Sequence, residues 1–518
     1  MDIDFKRLTQ ISDVNEWKAT YHTAIKKLDE ISQEEERIYY LMYSQEQESQ
    51  RIDEIQKIKH ELMTNKELIH TFSTWKEILS DDPIWCRRID VFLSRMKQEA
   101  IDSHPEIVSV QQSLQKKLLE STFEVNGKKY NLGTVHSNVM DNPDRELRKR
   151  LFLESKRIGR ENEDLYRTLI HKRNQLAQDI GYENYYSFKC SLKEIDIDKY
   201  LDEMSGLLEK LENSATYWSN RINEKFGWEQ MYFYDQYFTT FNFHRFQGSN
   251  FSSERLKEVL SDAVRSIGVQ LQSIPVTIET LEIPYGGFAI NINPNDLKLV
   301  VNKRDAYSLF LSGIHEMGHI LDGHYGSFEY PELYRFYSSI AAESFAELFQ
   351  TIVTEEEFLK RNFELTAEVL SQIKEVNMLT DFKMVQINHY YSLVEYELYK
   401  NPERSFQEIA DECYKVVFGY EGETIHPGSE MFYIENPAFF QDYNFALAIR
   451  DMIRGKFKIK SLYKNREVFR ELLEKYIEPN QLYSWQDRVR RICDEDFTFS
   501  YLAETLGNVA AQYNDTDN

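Results

Sequence analysis

His315-Glu316-Met317-Gly318-His319 sets two histidines and a glutamate in the order H-E-x-x-H. On a helix, residues four apart lie about 6 Å apart along the axis and within roughly 40° of one face. Both imidazoles can therefore reach one metal ion, and a pair of helical histidines suits zinc. Glu316, beside the first histidine, is placed to take a proton from water, and a zinc ion with three protein ligands keeps a position open for that water. The chemistry in view is the addition of water to a polarised carbonyl.

A third ligand has to come from elsewhere. The pattern H-E-x-x-H-x-x-G-x-x-H requires Gly at 322 and His at 325, where the chain has Asp322 and Tyr325, and His324 is one place out of register. Asp322 is near enough in sequence to approach the metal. A glutamate on a second helix is the commoner solution for a peptidase with two helical histidines. From Ile340 on, Ala341, Phe345, Leu348, Phe349 and Ile352 form an apolar stripe, and Glu343 and Glu347 share the opposite side. Glu343 follows His319 by 24 residues, which leaves room for a turn and a returning helix. Glu347, one turn on, is placed to orient a ligand histidine.

These residues need a helix and its supports. Tyr307, Phe310, Leu311, Ile314 and Leu321 recur at helical spacing and are expected to face a core, with Ser308, Ser312, His315, Glu316 and His319 on another side. Gly313 and Gly318 each cost about 1 kcal/mol of helix stability relative to Ala, so close packing of another element is expected there. Just upstream, about 274–301, β-branched residues punctuated by Pro and Gly read as a small sheet. It is a candidate cleft wall, because an open strand edge can pair with an extended peptide.

Helical periodicity dominates the remainder: dense charges with heptad-like apolar spacing over Trp17–Leu119, then helices over Asp144–Gly159, from Asn162 to Leu176 and over Ile197–Phe226. Asn126-Gly127 between short alternating flanks reads as a two-residue hairpin turn. Gly181 stands where a helix C-terminal glycine would. The expected organisation is a helical N-terminal lobe, 1–122, followed by a catalytic region, 123–518, with zinc helices over 305–355 and a C-terminal helical substrate-binding segment.

The chain also resembles the oligoendopeptidase F and thimet oligopeptidase family of zinc metallopeptidases. The resemblance rests on HEMGH, on AAESFAE with Glu343 at the family's ligand spacing, and on GGF and NDLKLVVN upstream; it is strongest over 285–347. RNQLAQDIGYENYYSF and NPAFFQDYNFALA are similar to further family segments. The resemblance implies a mostly α, zincin-like fold with a small sheet beside a deep active-site cleft. It implies one Zn2+ ion held by His315, His319 and Glu343, with Glu316 as general base, and Gly286, Gly287 and Phe288 along the substrate. Tyr443 matches a family tyrosine that helps stabilise the tetrahedral intermediate. Met431 or Phe432 stands where the family has a histidine, and Phe440 replaces another tyrosine. His426 and Tyr433 are nearby candidates to substitute.

Composition narrows the partners. A net charge of −24 argues against nucleic acid or an anionic membrane surface. High aromatic content against 19 Gly and 11 Pro fits long helices with few interruptions. Cys86, Cys190, Cys413 and Cys493 lie far apart with no C-x-x-C pair, so no disulfide framework or cysteine metal site is signalled. The first residues, from Met1 to Lys6, lack a signal peptide's basic start and apolar run. The expected protein is a cytoplasmic zinc metalloendopeptidase acting on short peptides. A related helical zinc carboxypeptidase and a non-catalytic metal- or peptide-binding protein are the alternatives.

Overall fold

The computed structural model describes residues 5–507 except Glu46, Glu48, Pro284, Tyr285 and the side chain of His136. Met1 to Asp4, in the N-terminal reading above, and Pro284 and Tyr285, in the segment before β4, lie outside the described residues. The elements used below are, in chain order, helix α1 (Val14–Gln45), strands β1 (Thr122–Val125) and β2 (Lys128–Asn131), and helices α2 (Arg145–Asp179), α3 (Ile197–Lys210), α4 (Glu212–Phe226) and α5 (Leu256–Ser266). Strands β3 (Val276–Leu281), β4 (Gly287–Asn293) and β5 (Asp296–Asn302) follow. After them come α6 (Tyr307–Tyr325), α7 (Ser339–Gln350), α8 (Ala367–Lys400), α9 (Phe406–Phe418) and α10 (Phe440–Phe457).

The chain divides into two compact units, each built from separated segments. Of the described residues, those within 5–100, 246–366 and 449–498 form the first unit, and those within 101–245, 367–448 and 499–507 the second. The sequence instead suggested one boundary near residue 122.

In the first unit, an aromatic core gathers Trp17, Tyr21, Phe72 and Trp75, with Trp17 stacked on Trp75 at 4.7 Å between centroids. The small sheet runs in the order β3-β5-β4, with β3 parallel and β4 antiparallel to β5, so β5 is central and β4 lies at an edge. Leu297, Leu299, Val300 and Val301 of β5 are fully buried, as a strand flanked on both sides requires. The apolar face of α6 is buried as expected at Tyr307, Phe310, Ile314 and Leu321, while Leu311 is half-buried.

In the second unit, Asn126 (φ 54°) and Gly127 (φ 76°) turn β1 into β2 in the left-handed conformation that such a hairpin demands. Two sequence expectations change. The helices read over Asp144–Gly159 and Asn162–Leu176 are one continuous helix, α2, which ends before Gly181 at φ 92°. Gly159 lies within this helix and leaves room for His426: a Cβ there would lie 2.7 Å from the His426 Cβ. Conversely, the helix read over Ile197–Phe226 breaks at Leu211, whose ψ of 2° leaves the helical range, giving α3 and α4.

Candidate metal centre

The centre lies within the first unit, where α6 and α7 run against each other. Gly318 of α6 makes the approach possible, since a Cβ at that position would stand 2.6 Å from the Ala346 Cα of α7. Gly313 similarly accommodates Leu256 of α5 at 2.7 Å. Ser338 caps α7 through its hydroxyl, which accepts from the Ala341 N–H. Glu343 therefore sits in the second turn of a helix whose start is fixed.

His315 Nε2 lies 3.3 Å and His319 Nε2 3.7 Å from Glu343 Oε2. One ligand atom from each of the three residues falls within 4.8 Å of the others. All three side chains are largely shielded from solvent, yet Glu343 Oε2 has no hydrogen-bond donor among the described residues. A buried carboxylate oxygen without a donor costs on the order of 1–3 kcal/mol or more, unless a cation occupies the space between it and the imidazoles. The donor set, two imidazole nitrogens and a carboxylate, fits a zinc-type ion.

The electrostatics agree with that fit. Burial disfavours charge on His315, but Glu343, Glu347 and Glu316 outweigh it and lift its pKa to about 9. The surrounding carboxylates thus draw a positive charge to this point. Burial leaves His319 neutral, with a pKa lowered to about 4. For Glu343, burial is opposed by His319 and His315, and the carboxyl stays below its usual range. Burial raises the Glu316 pKa to about 7, against the pull of His315. His319 and Glu343 are thus in the forms that bind a metal, and His315 would exchange its proton for the ion.

Glu347 Oε1 stands 3.9 Å from His315 Nδ1, and its other oxygen lies 3.6 Å from Arg450 Nη1. Arg450, 3% exposed, in turn donates through Nε to Asp451 Oδ1 at 2.9 Å, and Arg454 reaches the same oxygen at 2.7 Å. This chain behind the first ligand, contributed by α10, was missed by the sequence reading. Its one signal was a pair of charges inside the apolar run Phe445–Ile453.

The remaining candidates separate clearly. Gly287 of β4 borders the centre: a Cβ there would come within 3.1 Å of the Glu316 Cγ and 2.9 Å of the Val300 carbonyl oxygen. Gly286 faces the Ser312 hydroxyl, and Phe288 packs edge-on against Tyr43 of α1. Asp322 is half-buried on the far turn of α6, 4.0 Å from Arg488, and His324 Nδ1 is 2.9 Å from the Pro294 carbonyl oxygen. Neither joins the cluster.

Tyr443, His426 and Tyr433 belong to the second unit. Tyr443 is half-buried on α10, edge-on to Phe439. His426 and Tyr433 do not suit the substrate-facing role suggested for them. His426 is fully buried, with Nε2 3.0 Å from Glu163 Oε2 and Nδ1 accepting from the Gly428 N–H. Tyr433 is 1% exposed and its hydroxyl donates to the Tyr391 carbonyl at 2.8 Å. Their polar atoms are already engaged in the fold. All four cysteines are free thiols, and no described helix is long and apolar enough to cross a membrane.

A helical chain with a small mixed sheet and a two-histidine, one-carboxylate cluster on adjacent helices is the class of protein that fold and site define. No family model matches the sequence, and no curated protein matches it. Solved structures do. PZ peptidase A, solved with an inhibitor, superposes with a TM-score of 0.75 at 12% identity over 99% of this chain and 96% of its own. A Bacillus anthracis protein described as an oligoendopeptidase F gives 0.70 at 12% identity over 98% and 93%. The Pyrococcus furiosus carboxypeptidase gives 0.65 at 12% identity over 93% and 96%. The chain has the helical fold of the PZ peptidase and oligoendopeptidase F type, as the sequence resemblance implied.

Proposed function

We propose that the protein is a cytoplasmic zinc-dependent metalloendopeptidase that hydrolyses short peptides. His315, His319 and Glu343 hold the ion, and Glu316 is the general base. The observation that carries this reading is the convergence of three ligand atoms within 4.8 Å, with half-buried Glu316 on the same helix next to His315.

Bound zinc supplies a Lewis acid that polarises the scissile carbonyl and acidifies water to a pKa of about 7. The chain supplies the proton handling. With its pKa raised to about 7 by burial, Glu316 takes the proton of the attacking water and returns it to the departing amine nitrogen, the two halves of general acid–base catalysis. Glu347 orients His315 through Nδ1, which directs Nε2 at the ion. Extended peptide adds along the edge of β4 by main-chain hydrogen bonds, beside Gly286, Gly287 and Phe288, where the missing Cβ of Gly287 lets the strand lie close to Glu316.

The likeness to a carboxypeptidase favours a second reading, in which only the C-terminal residue is removed. Quenched fluorescent peptides with blocked and free C-termini distinguish the two. For the general mechanism, wild type and Glu316→Gln are compared for zinc content and peptide cleavage. Near-stoichiometric zinc in both, with cleavage at least about 100-fold slower in the variant, is expected. Equal cleavage rejects the role of Glu316. Full zinc without hydrolysis in wild type would make the site a binding site only, and zinc retained by Glu343→Ala removes that residue from the ligand set.

A further inference from the structure

The second unit contains a cavity of about 690 Å³ that has no part in the peptidase reading. Small-molecule sites occupy roughly 300–1,000 Å³, with apolar walls and a few convergent polar groups. This cavity follows that plan. Helices α3 and α4 supply one wall with Leu208, Leu211, Trp218 and Ile222, and Phe418 at the end of α9 supplies another.

The polar groups come from α8. Lys383, Gln386 and His389 recur at three-residue spacing, share one face of the helix and line the cavity together. Lys383 is 2% exposed, and its ammonium has three donors but, among the described residues, a single hydrogen-bond acceptor, Gln236 Oε1. The same ammonium lies 5.5 Å from the Phe418 ring centroid. His389 is 3% exposed, and its Nδ1 has no hydrogen-bond partner among the described residues. That nitrogen is closed off from the cavity, whereas the unused donors of Lys383 favour an acceptor arriving there.

Charge decides what the acceptor is. Asp235 is the carboxylate acting on Lys383, but it is already held by Arg145 and Arg148 at 2.7 Å each. The buried cluster therefore carries more positive than negative groups. Glu209 and Glu212 lie at the cavity lining but are solvent-exposed, where salt screens them. Burial lowers the Lys383 pKa to about 7, and an anion beside it would restore the charged form.

We infer that this cavity binds a small amphipathic carboxylic acid, its apolar body against Trp218 and Phe418 and its carboxylate accepting from Lys383 Nζ.

Calorimetric titration of the full-length protein with decanoate, and separately with decanol, tests the assignment. Decanoate is expected to bind at one site, at least about tenfold more tightly than decanol. Lys383→Met, which keeps the side chain's bulk, should lower decanoate affinity at least about tenfold and leave decanol unchanged. Ala215→Phe, which fills the cavity from the α4 wall, should abolish binding of both and remains informative if the lysine variant misfolds. Absence of decanoate binding to wild type overturns the inference. So do equal affinities for acid and alcohol, or unchanged decanoate binding in either variant.

Discussion

Glu347 shows how one side chain works through another. Its carboxylate stands between His315 Nδ1 at 3.9 Å and Arg450 at 3.6 Å, so it can hold the imidazole in the tautomer that presents Nε2 to a metal. Glu347→Gln keeps the shape but loses the charge. Outer partners of this kind are typically worth 10–100-fold in metal affinity, and we expect a zinc affinity reduced by about that factor, measured by competition with a chromophoric chelator, while far-ultraviolet dichroism is unchanged. An affinity equal to wild type would remove Glu347 from the support of His315. The ligands themselves were legible because H-E-x-x-H is a local pattern and Glu343 lies within one helix–turn–helix of it. Arg450 was not, because 103 residues separate it from Glu347 and only folding brings them together. His426 and Tyr433 mislead for the opposite reason: their side chains have the right chemistry, but burial against Glu163 and Tyr391 is invisible in the sequence.

At the level of elements, periodicity located helices better than it located their ends. Nothing in the residue types at Leu211 marks the break between α3 and α4, while Gly159 suggested a break in a helix that continues through it. The glycines of α6 were read correctly as contact points, and their partners are now defined. Gly318→Ala sets two effects against each other. Alanine gains up to about 1 kcal/mol in helix propensity, yet its Cβ would sit 2.6 Å from backbone at Ala346, a clash no rotamer can relieve. Overpacking of this kind costs roughly 1–3 kcal/mol, so the clash wins. The variant should unfold at lower denaturant concentration and bind zinc more weakly, because parting α6 from α7 lengthens the distances from His315 and His319 to Glu343. Gly206→Ala in α3 is the control: a Cβ there meets nothing within 4 Å, and stability should rise. Equal gains in both would refute the packing argument.

Across the whole molecule, the two units each draw on three distant stretches of chain, an arrangement that no local pattern encodes; composition foretold only a large, helical, acidic protein. Stability against pH is a property at this scale, set by buried groups that titrate differently in the folded and unfolded chains. Glu395 is fully buried, its carboxyl accepting from the Ala438 N–H at 3.0 Å, and burial raises its pKa from 4.5 to about 8. Between those values the folded protein holds a proton that the unfolded chain has released, so this stability is complete below pH 4.5 and lost as pH rises through 8. Lys383 acts with the opposite sign. Its pKa falls from 10.5 to about 7, so the unfolded chain holds the extra proton and stability climbs with pH across that window. Glu395→Gln keeps the neutral shape and deletes only the first effect. The gain in stability of the variant over wild type should therefore grow between pH 5 and pH 8. Counting a single pKa unit of the shift, the change is at least roughly tenfold in the folding equilibrium, readable from urea denaturation at the two values. A difference between the proteins that stays constant from pH 5 to pH 8 would show that Glu395 is already ionised in the folded protein at the lower pH.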